Sequence, residues 1–152
     1  MGTIAFFIAP SDQAAAGTRS RGPGTNYPSV ACQGFDPDDA VVEWDMYFEA
    51  PSAKLPPLET LHTRQWPIWV AEIVNDGTGV FVVPDRLARA LAHAGPKDLD
   101  ELTYRWTARL RQADGVNMTC DNPREILQKV ARFAATAVGT GDRLYCWHSL
   151  NG

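Results

Sequence analysis

The chain has few cysteines and no long apolar run, and both shortages narrow what it can be. Its 152 residues include three cysteines at irregular spacing. An odd, irregular set does not fit a disulfide framework and predicts buried thiols in a reducing compartment. No stretch approaches the roughly 20 apolar residues that span a bilayer, and the first residues lack the basic region of a signal peptide. We therefore expect a cytoplasmic protein without a membrane span.

The usual signatures of catalysis and cofactor binding are also missing. The sequence has no nucleophile elbow, no zinc-protease helix motif, no P-loop and no dinucleotide-binding glycine motif. Basic residues are scarce in the first half, where residues 1–83 carry ten acids and four bases. A negative field of this kind repels nucleic-acid backbones. The sequence therefore predicts no cofactor and no nucleic-acid partner, and it favours a non-catalytic role.

The chain does contain enough apolar residues for one packed core. Hydrophobic residues make up 45% of it and charged residues 21%, which is ordinary for a single globular domain of this length. Residues 68–83 (IWVAEIVNDGTGVFVV) predict a β-hairpin, because a turn sequence separates two β-branched runs. Pro84 and the apolar spacing after it predict a helix that stops at Gly95.

Apolar spacing and capping residues predict the other elements. Strands are expected at 3–9, 29–35 and 143–149, one helical turn at 11–17, and longer helices at 98–112 and 122–139. The core expected against the hairpin consists of Leu87, Leu91, Leu102, Trp106, Leu110, Ile126, Val130 and Phe133. The predicted fold is a single α+β domain with a small mixed or antiparallel sheet, packed with about four helices.

Residues 36–49 (DPDDAVVEWDMYFE) carry two conflicting patterns. Apolar and polar residues alternate from Val42 to Phe48, which fits a half-exposed strand. Asp36 before Pro37, followed by two further aspartates, is instead a helix start, since it combines a cap, a fixed φ and negative charge at the positive end of the helix dipole. Capping is a local effect, so we favour the helix.

The same segment contains the main functional signal of the sequence. Six acids and no lysine or arginine fall within its fourteen residues. This is typical either of a solvated helix face or of a surface that recruits a basic partner, with acids for steering and aromatic side chains for anchoring. Small acidic immunity or antitoxin-like proteins offer an analogy for the second interpretation. The residues predicted to bind a partner are Asp38, Glu43, Asp45, Tyr47, Glu49 and Trp66.

The cysteines and one histidine form a second, weaker candidate site. Cys146 and His148 lie two residues apart on a predicted strand and so share one face, which permits joint metal ligation. Cys32 and Cys120 come from remote elements, and no close cysteine pair anchors a zinc site. We therefore expect no metal. An enzyme or ligand-binding protein with a cleft near Cys32, Cys120 and His148 remains the alternative to protein binding.

Several local patterns occur in an order that resembles one bacterial family. They are the MG-plus-apolar opening, an acidic helix with Glu43-Trp44-Asp45, the passage from Val80 to Pro84 into a helix, the spacing of Leu102 and Trp106, and the terminal GDRLYCWHS. In this order of elements the chain resembles the YfbM-like proteins, whose function is unknown. The resemblance implies an α+β fold and no known activity.

Overall fold

Strands and helices alternate irregularly along the chain, as expected for an α+β protein. The computed structural model describes residues 3–19, 22–24, 26–33, 35, 37–49, 68–71, 77–114 and 122–149. The strands in these ranges are β1 (Thr3–Ala9), β2 (Ser29–Gln33), β3 (Ile68–Ala71), β4 (Thr78–Val82) and β5 (Arg143–Ser149). The helices are α1 (Asp12–Ala16), α2 (Pro37–Glu49), α3 (Asp85–His93), α4 (Pro96–Asp114) and α5 (Pro123–Thr140). Both predicted hairpin strands and the predicted C-terminal strand are present.

The five strands form one sheet in the order β2-β1-β5-β4-β3. Every pair is antiparallel, so of the two predicted sheet types the antiparallel one is correct. β1 and β5, the first and last strands in the sequence, are neighbours in the sheet. They pair in register from Thr3 opposite Ser149 to Ala9 opposite Arg143. The α+β domain predicted from the sequence is confirmed.

Alternation along the strands divides the apolar side chains between two faces of the sheet. The helix side of the sheet includes Ile4, Phe6, Ile8, Phe81, Leu144 and Cys146, and α2 to α5 cover it. Of the predicted core residues, those buried on this side are Leu87, Leu91, Leu102, Trp106, Leu110, Ile126 and Val130, while Phe133 is half-buried against them. The predicted core is therefore confirmed. The opposite face is covered by α1 and by Tyr27, which lies against Phe7.

α2 is a helix, as favoured from its capping residues, but it is not a surface helix. Eight consecutive residues from Ala40 to Tyr47 are buried, and eight residues make more than two turns. Burial therefore extends around the whole helix. Trp44 contacts the main core, while Val42 and Met46 form a small cluster of their own. The apolar and polar alternation from Val42 to Phe48, which also fitted a strand, belongs to a helix that is buried on all sides.

Gly17 follows the end of α1 as predicted, but Gly95 and Gly139 do not end α3 and α5. α3 ends at Ala94, which has an extended backbone, and Gly95 precedes α4 and donates its N–H to the Asp98 carboxylate at 3.1 Å. α5 begins as predicted, with Asn122 accepting the Arg124 N–H. It extends to Thr140 and stops at Gly141, whose φ of 76° is left-handed and favours glycine. Among the described helices, none has the length and apolarity needed to cross a membrane.

α1 is fastened to the sheet by a buried tyrosine. The Tyr145 hydroxyl donates to Asp12 Oδ1 at 2.7 Å, and the Trp147 indole N–H donates to the Arg19 carbonyl at 2.8 Å. Burial raises the pKa of Tyr145, and the hydrogen bond to Asp12 and the charge of that carboxylate raise it further. The folded state therefore holds the phenol proton more tightly than the unfolded chain does.

This raised pKa predicts an alkaline loss of stability. A group whose pKa is higher in the folded state stabilises the fold fully below its unfolded pKa, which is about 10 for tyrosine, and the benefit is lost as pH rises above that value. Tyr145→Phe should show a smaller fall in denaturation midpoint between pH 9 and 11 than the wild type does. Tyr104→Phe is the matched control, because Tyr104 is exposed. Equal alkaline losses in wild type and Tyr145→Phe would contradict the prediction.

Candidate functional site

A buried charged cluster joins α2 to α4. Glu43 is fully buried, and its two carboxylate oxygens accept hydrogen bonds from Arg105 Nε at 2.9 Å and Arg109 Nε at 3.0 Å. Both arginines are buried as well, at 3% and 5% exposure. The guanidinium carbon of Arg105 also lies 5.7 Å from the centre of the Tyr47 ring. One carboxylate thus sits between two guanidinium groups, so the buried charge of Glu43 has counter-charges inside the protein.

Two neighbouring contacts extend this cluster. The Tyr47 hydroxyl hydrogen-bonds Glu101, and the pKa of Tyr47 is raised, first by burial and then by the negative charges of Glu101 and Asp98. Two residues from Tyr47 along α2, Asp45 binds Arg86 of α3 through two hydrogen bonds of 3.1 and 2.7 Å. α2 is therefore held to α3 and α4 by charged and polar contacts as well as by apolar packing.

These contacts correct the partner-binding surface predicted from the sequence. Glu43, Asp45 and Tyr47 are buried within the domain, so they present neither charge nor an aromatic ring to a partner. The physical reason is the opposite charge of the second half of the chain, whose arginines on α3 and α4 neutralise these acids. Of the other predicted residues, Asp38 is half-buried and Glu49 is exposed, at opposite ends of α2. Trp66 lies outside the described residues.

The thiols and the histidine do not come together. Cys32 and Cys146 are buried thiols of the helix-side core. Ile4 pairs with Cys32 on one side and with His148 on the other, so about 10 Å separates the backbones of Cys32 and His148. Cys120 lies outside the described residues. Within the described part of the chain, no group of His, Cys, Asp and Glu side chains is arranged to hold a metal ion.

A surface groove lies along the outer side of α4, where the start of α5 meets it. Its volume is about 440 Å³, and its lining is formed by Asp100, Thr103, Tyr104, Thr107, Ala108, Arg111 and Arg124. All but the last lie on α4 at helical spacing, so they form a single stripe on one face. At one end of the stripe, Arg124 of α5 binds Asp100 at 3.0 Å. Neither this groove nor the pocket described below is lined by Cys32, Cys146 or His148.

Tyr104 and Arg111 are two exposed side chains of the groove. Tyr104 is 71% exposed, although it lies in the middle of a regular helix. Arg111 is exposed and forms no ion pair with any residue in the described ranges. Tyr104 was not among the residues predicted from the sequence, although its position contains a signal: it lies two residues from both Leu102 and Trp106, which puts an aromatic ring on the polar side of the helix.

A second pocket, of about 290 Å³, lies between α3, the end of α5 and the start of β5. Its charged lining residues are Asp85, Arg89, Asp142 and Arg143. Two carboxylates and two guanidinium groups balance each other, and Arg143 is also 3.5 Å from Asp12. The aliphatic part of the lining includes Val138, which is 40% exposed. The described residues of this pocket offer neither an aromatic anchor nor a net charge.

Comparison with known proteins adds nothing to this geometry. No protein-family model, curated protein or solved structure matches the chain. The resemblance to the YfbM-like proteins therefore stays a prediction.

Proposed function

We propose that this chain is a non-catalytic protein-binding domain and that its partner contacts the groove along α4. The observation that carries this proposal is Tyr104, a largely exposed aromatic ring over a groove on a rigid helix. Tyrosine is one of the residue types that dominate binding energy at protein interfaces. Contact residues on regular helices also lose little conformational freedom when a partner binds.

The lining of the groove favours binding over catalysis. A catalytic site needs a nucleophile or base beside a cavity, held by an orienting group. Among the described lining residues the one carboxylate, Asp100, is paired with Arg124, and the hydroxyl of Thr103 donates to the Leu99 carbonyl of its own helix at 2.6 Å. The tyrosines with raised pKa values, Tyr47 and Tyr145, lie outside the lining of the groove.

The groove replaces α2 as the proposed contact surface. The analogy with immunity proteins depends on an exposed acidic surface at residues 36–49. Glu43 and Asp45 instead bind arginine side chains within the domain. A basic partner would have only the ends of α2 to contact. The binding role is therefore proposed for the α4 groove and not for the acidic segment.

The shape of the groove suits a short peptide segment. From Asp100 to Arg111 the stripe is about 16 Å long, at 1.5 Å per helical residue. The groove is open to solvent along this length and has a volume of about 440 Å³. One row of side chains from a short peptide segment can lie along such a stripe.

A peptide selection tests the proposal. A random 12-residue phage library is selected on the wild-type protein, and the enriched peptides are then measured on Tyr104→Ala. We expect a loss of affinity of about tenfold or more, because interface tyrosines commonly contribute over 1.4 kcal/mol. Folding should be unaffected, since Tyr104 is an exposed side chain.

Val138→Ala is the matched control for this selection. Val138 is an exposed apolar residue that lies outside the groove and lines the second pocket. Its variant should bind the selected peptides as the wild type does. Selected peptides that bind wild type and Tyr104→Ala equally would contradict the proposed surface.

A further inference from the structure

The described lining of the groove carries more positive than negative charge. Arg111 has no ion-pair partner in the described ranges, and Arg124, bound to Asp100, sits in the first turn of α5. The N-terminal end of a helix carries a partial positive charge of its own. The described lining of the groove thus has a net positive charge, although the net charge of the whole chain is −4.

The charge and the aromatic ring lie at a defined spacing. Arg111 follows Tyr104 by seven residues, which is about 10 Å along the helix axis. Ala108 lies between them on the same stripe, and its small side chain does not block the groove. In a peptide with the polyproline II conformation, side chains three residues apart lie on the same side and are separated by about 9 Å.

From this spacing we infer that the groove binds an acidic segment in the polyproline II conformation, in which an apolar side chain and a carboxylate lie three residues apart. The apolar side chain packs on Tyr104, and the carboxylate pairs with Arg111. This inference rests on the proposed function and adds the chemistry of the partner. A basic segment would place its cations against Arg111 and Arg124 and is disfavoured by repulsion.

Synthetic peptides of defined sequence test the inference. The probes are capped octapeptides with the central sequence Trp-Ala-Ala-Glu, the reverse order Glu-Ala-Ala-Trp, and the same pair with lysine in place of glutamate. Binding is followed by the amide chemical shifts of Tyr104, Thr107 and Arg111 during titration. At least one glutamate peptide should bind wild type about fivefold more tightly than its lysine counterpart, the ratio expected for an exposed ion pair of about 1 kcal/mol.

Charge reversal at Arg111 gives the decisive comparison. Arg111→Glu should remove the preference for glutamate and reverse it toward lysine. Lys129→Glu changes net charge by the same amount at an exposed position of α5 outside the groove, so it should retain the wild-type preference. An unchanged preference in Arg111→Glu, or an equal change in Lys129→Glu, would overturn the inference.

The two proposals fail in different ways. If peptides selected from the random library depend on Tyr104 but carry no acidic residues, the acidic partner is wrong and the binding groove stands. If no selected peptide depends on Tyr104, and no glutamate peptide shifts the groove amides at millimolar concentration, both proposals are wrong.

Discussion

Replacing Glu43 with alanine is expected to destabilise the fold by about 3–5 kcal/mol, the range found when one partner of a buried ion cluster is removed. Arg105 and Arg109 would each lose the carboxylate oxygen that accepts from its Nε. Both guanidinium groups are almost fully buried and cannot turn to water without disturbing the contact between α2 and α4. Chemical denaturation at neutral pH measures the loss as a shift of the midpoint.

Two further variants show whether charge is the cause. Glu49→Ala removes an exposed acid from the same helix and should change stability by less than about 0.5 kcal/mol. Replacing Glu43, Arg105 and Arg109 together by apolar residues of similar size should recover much of the loss, because no buried charge then lacks a counter-charge. A Glu43→Ala variant as stable as Glu49→Ala would show that the cluster is solvated in solution.

Trp106→Ala is expected to cost about 3–5 kcal/mol, since it leaves a large cavity in the core. Trp106 is 1% exposed and packs edge-to-face with Trp44, at a centroid distance of 5.1 Å, and with Phe35 at 5.0 Å. The loss would lower the melting temperature by more than about 6 °C for a chain of this length.

Tyr104→Ala is the matched control for Trp106→Ala. It removes an aromatic ring from the same helix only two residues away, but from an exposed position. The two variants separate the contribution of core packing from the helix propensity of alanine. A melting temperature lowered by less than about 2 °C in Trp106→Ala would mean that this ring does not support the core.

Local patterns predicted the elements of this fold because the forces that form them act over a few residues. Asn122 caps α5 through its own side chain, and Ser11 does the same for α1 by accepting the Ala14 N–H. The stripe that contains Leu102 and Trp106 identified the buried side of α4 for a similar reason, since 3.6-residue periodicity places these side chains on one face. Errors at the helix ends were small, such as Gly141 in place of Gly139.

The candidate site was less predictable, because it depends on which elements become neighbours. The groove needs α4 and the start of α5 side by side, and the ion pair of Asp100 and Arg124 forms only in that arrangement. The exposed ring of Tyr104 could have been found from its position on the polar side of the helix. The groove beside Tyr104 could not have been found from the sequence, because part of its lining lies on another helix, α5.

The sequence by itself determined the helices, the strands and the apolar stripe of each helix. Only the tertiary structure decided that β1 and β5 lie together at the centre of the sheet and that α2 is enclosed. It also decided that Glu43 of the acidic segment binds two arginines and does not face a partner. Glu43 is separated from Arg105 by 62 residues and from Arg109 by 66. A carboxylate has the same local pattern whether it faces water or a buried arginine, so its role depends on contacts between distant parts of the chain.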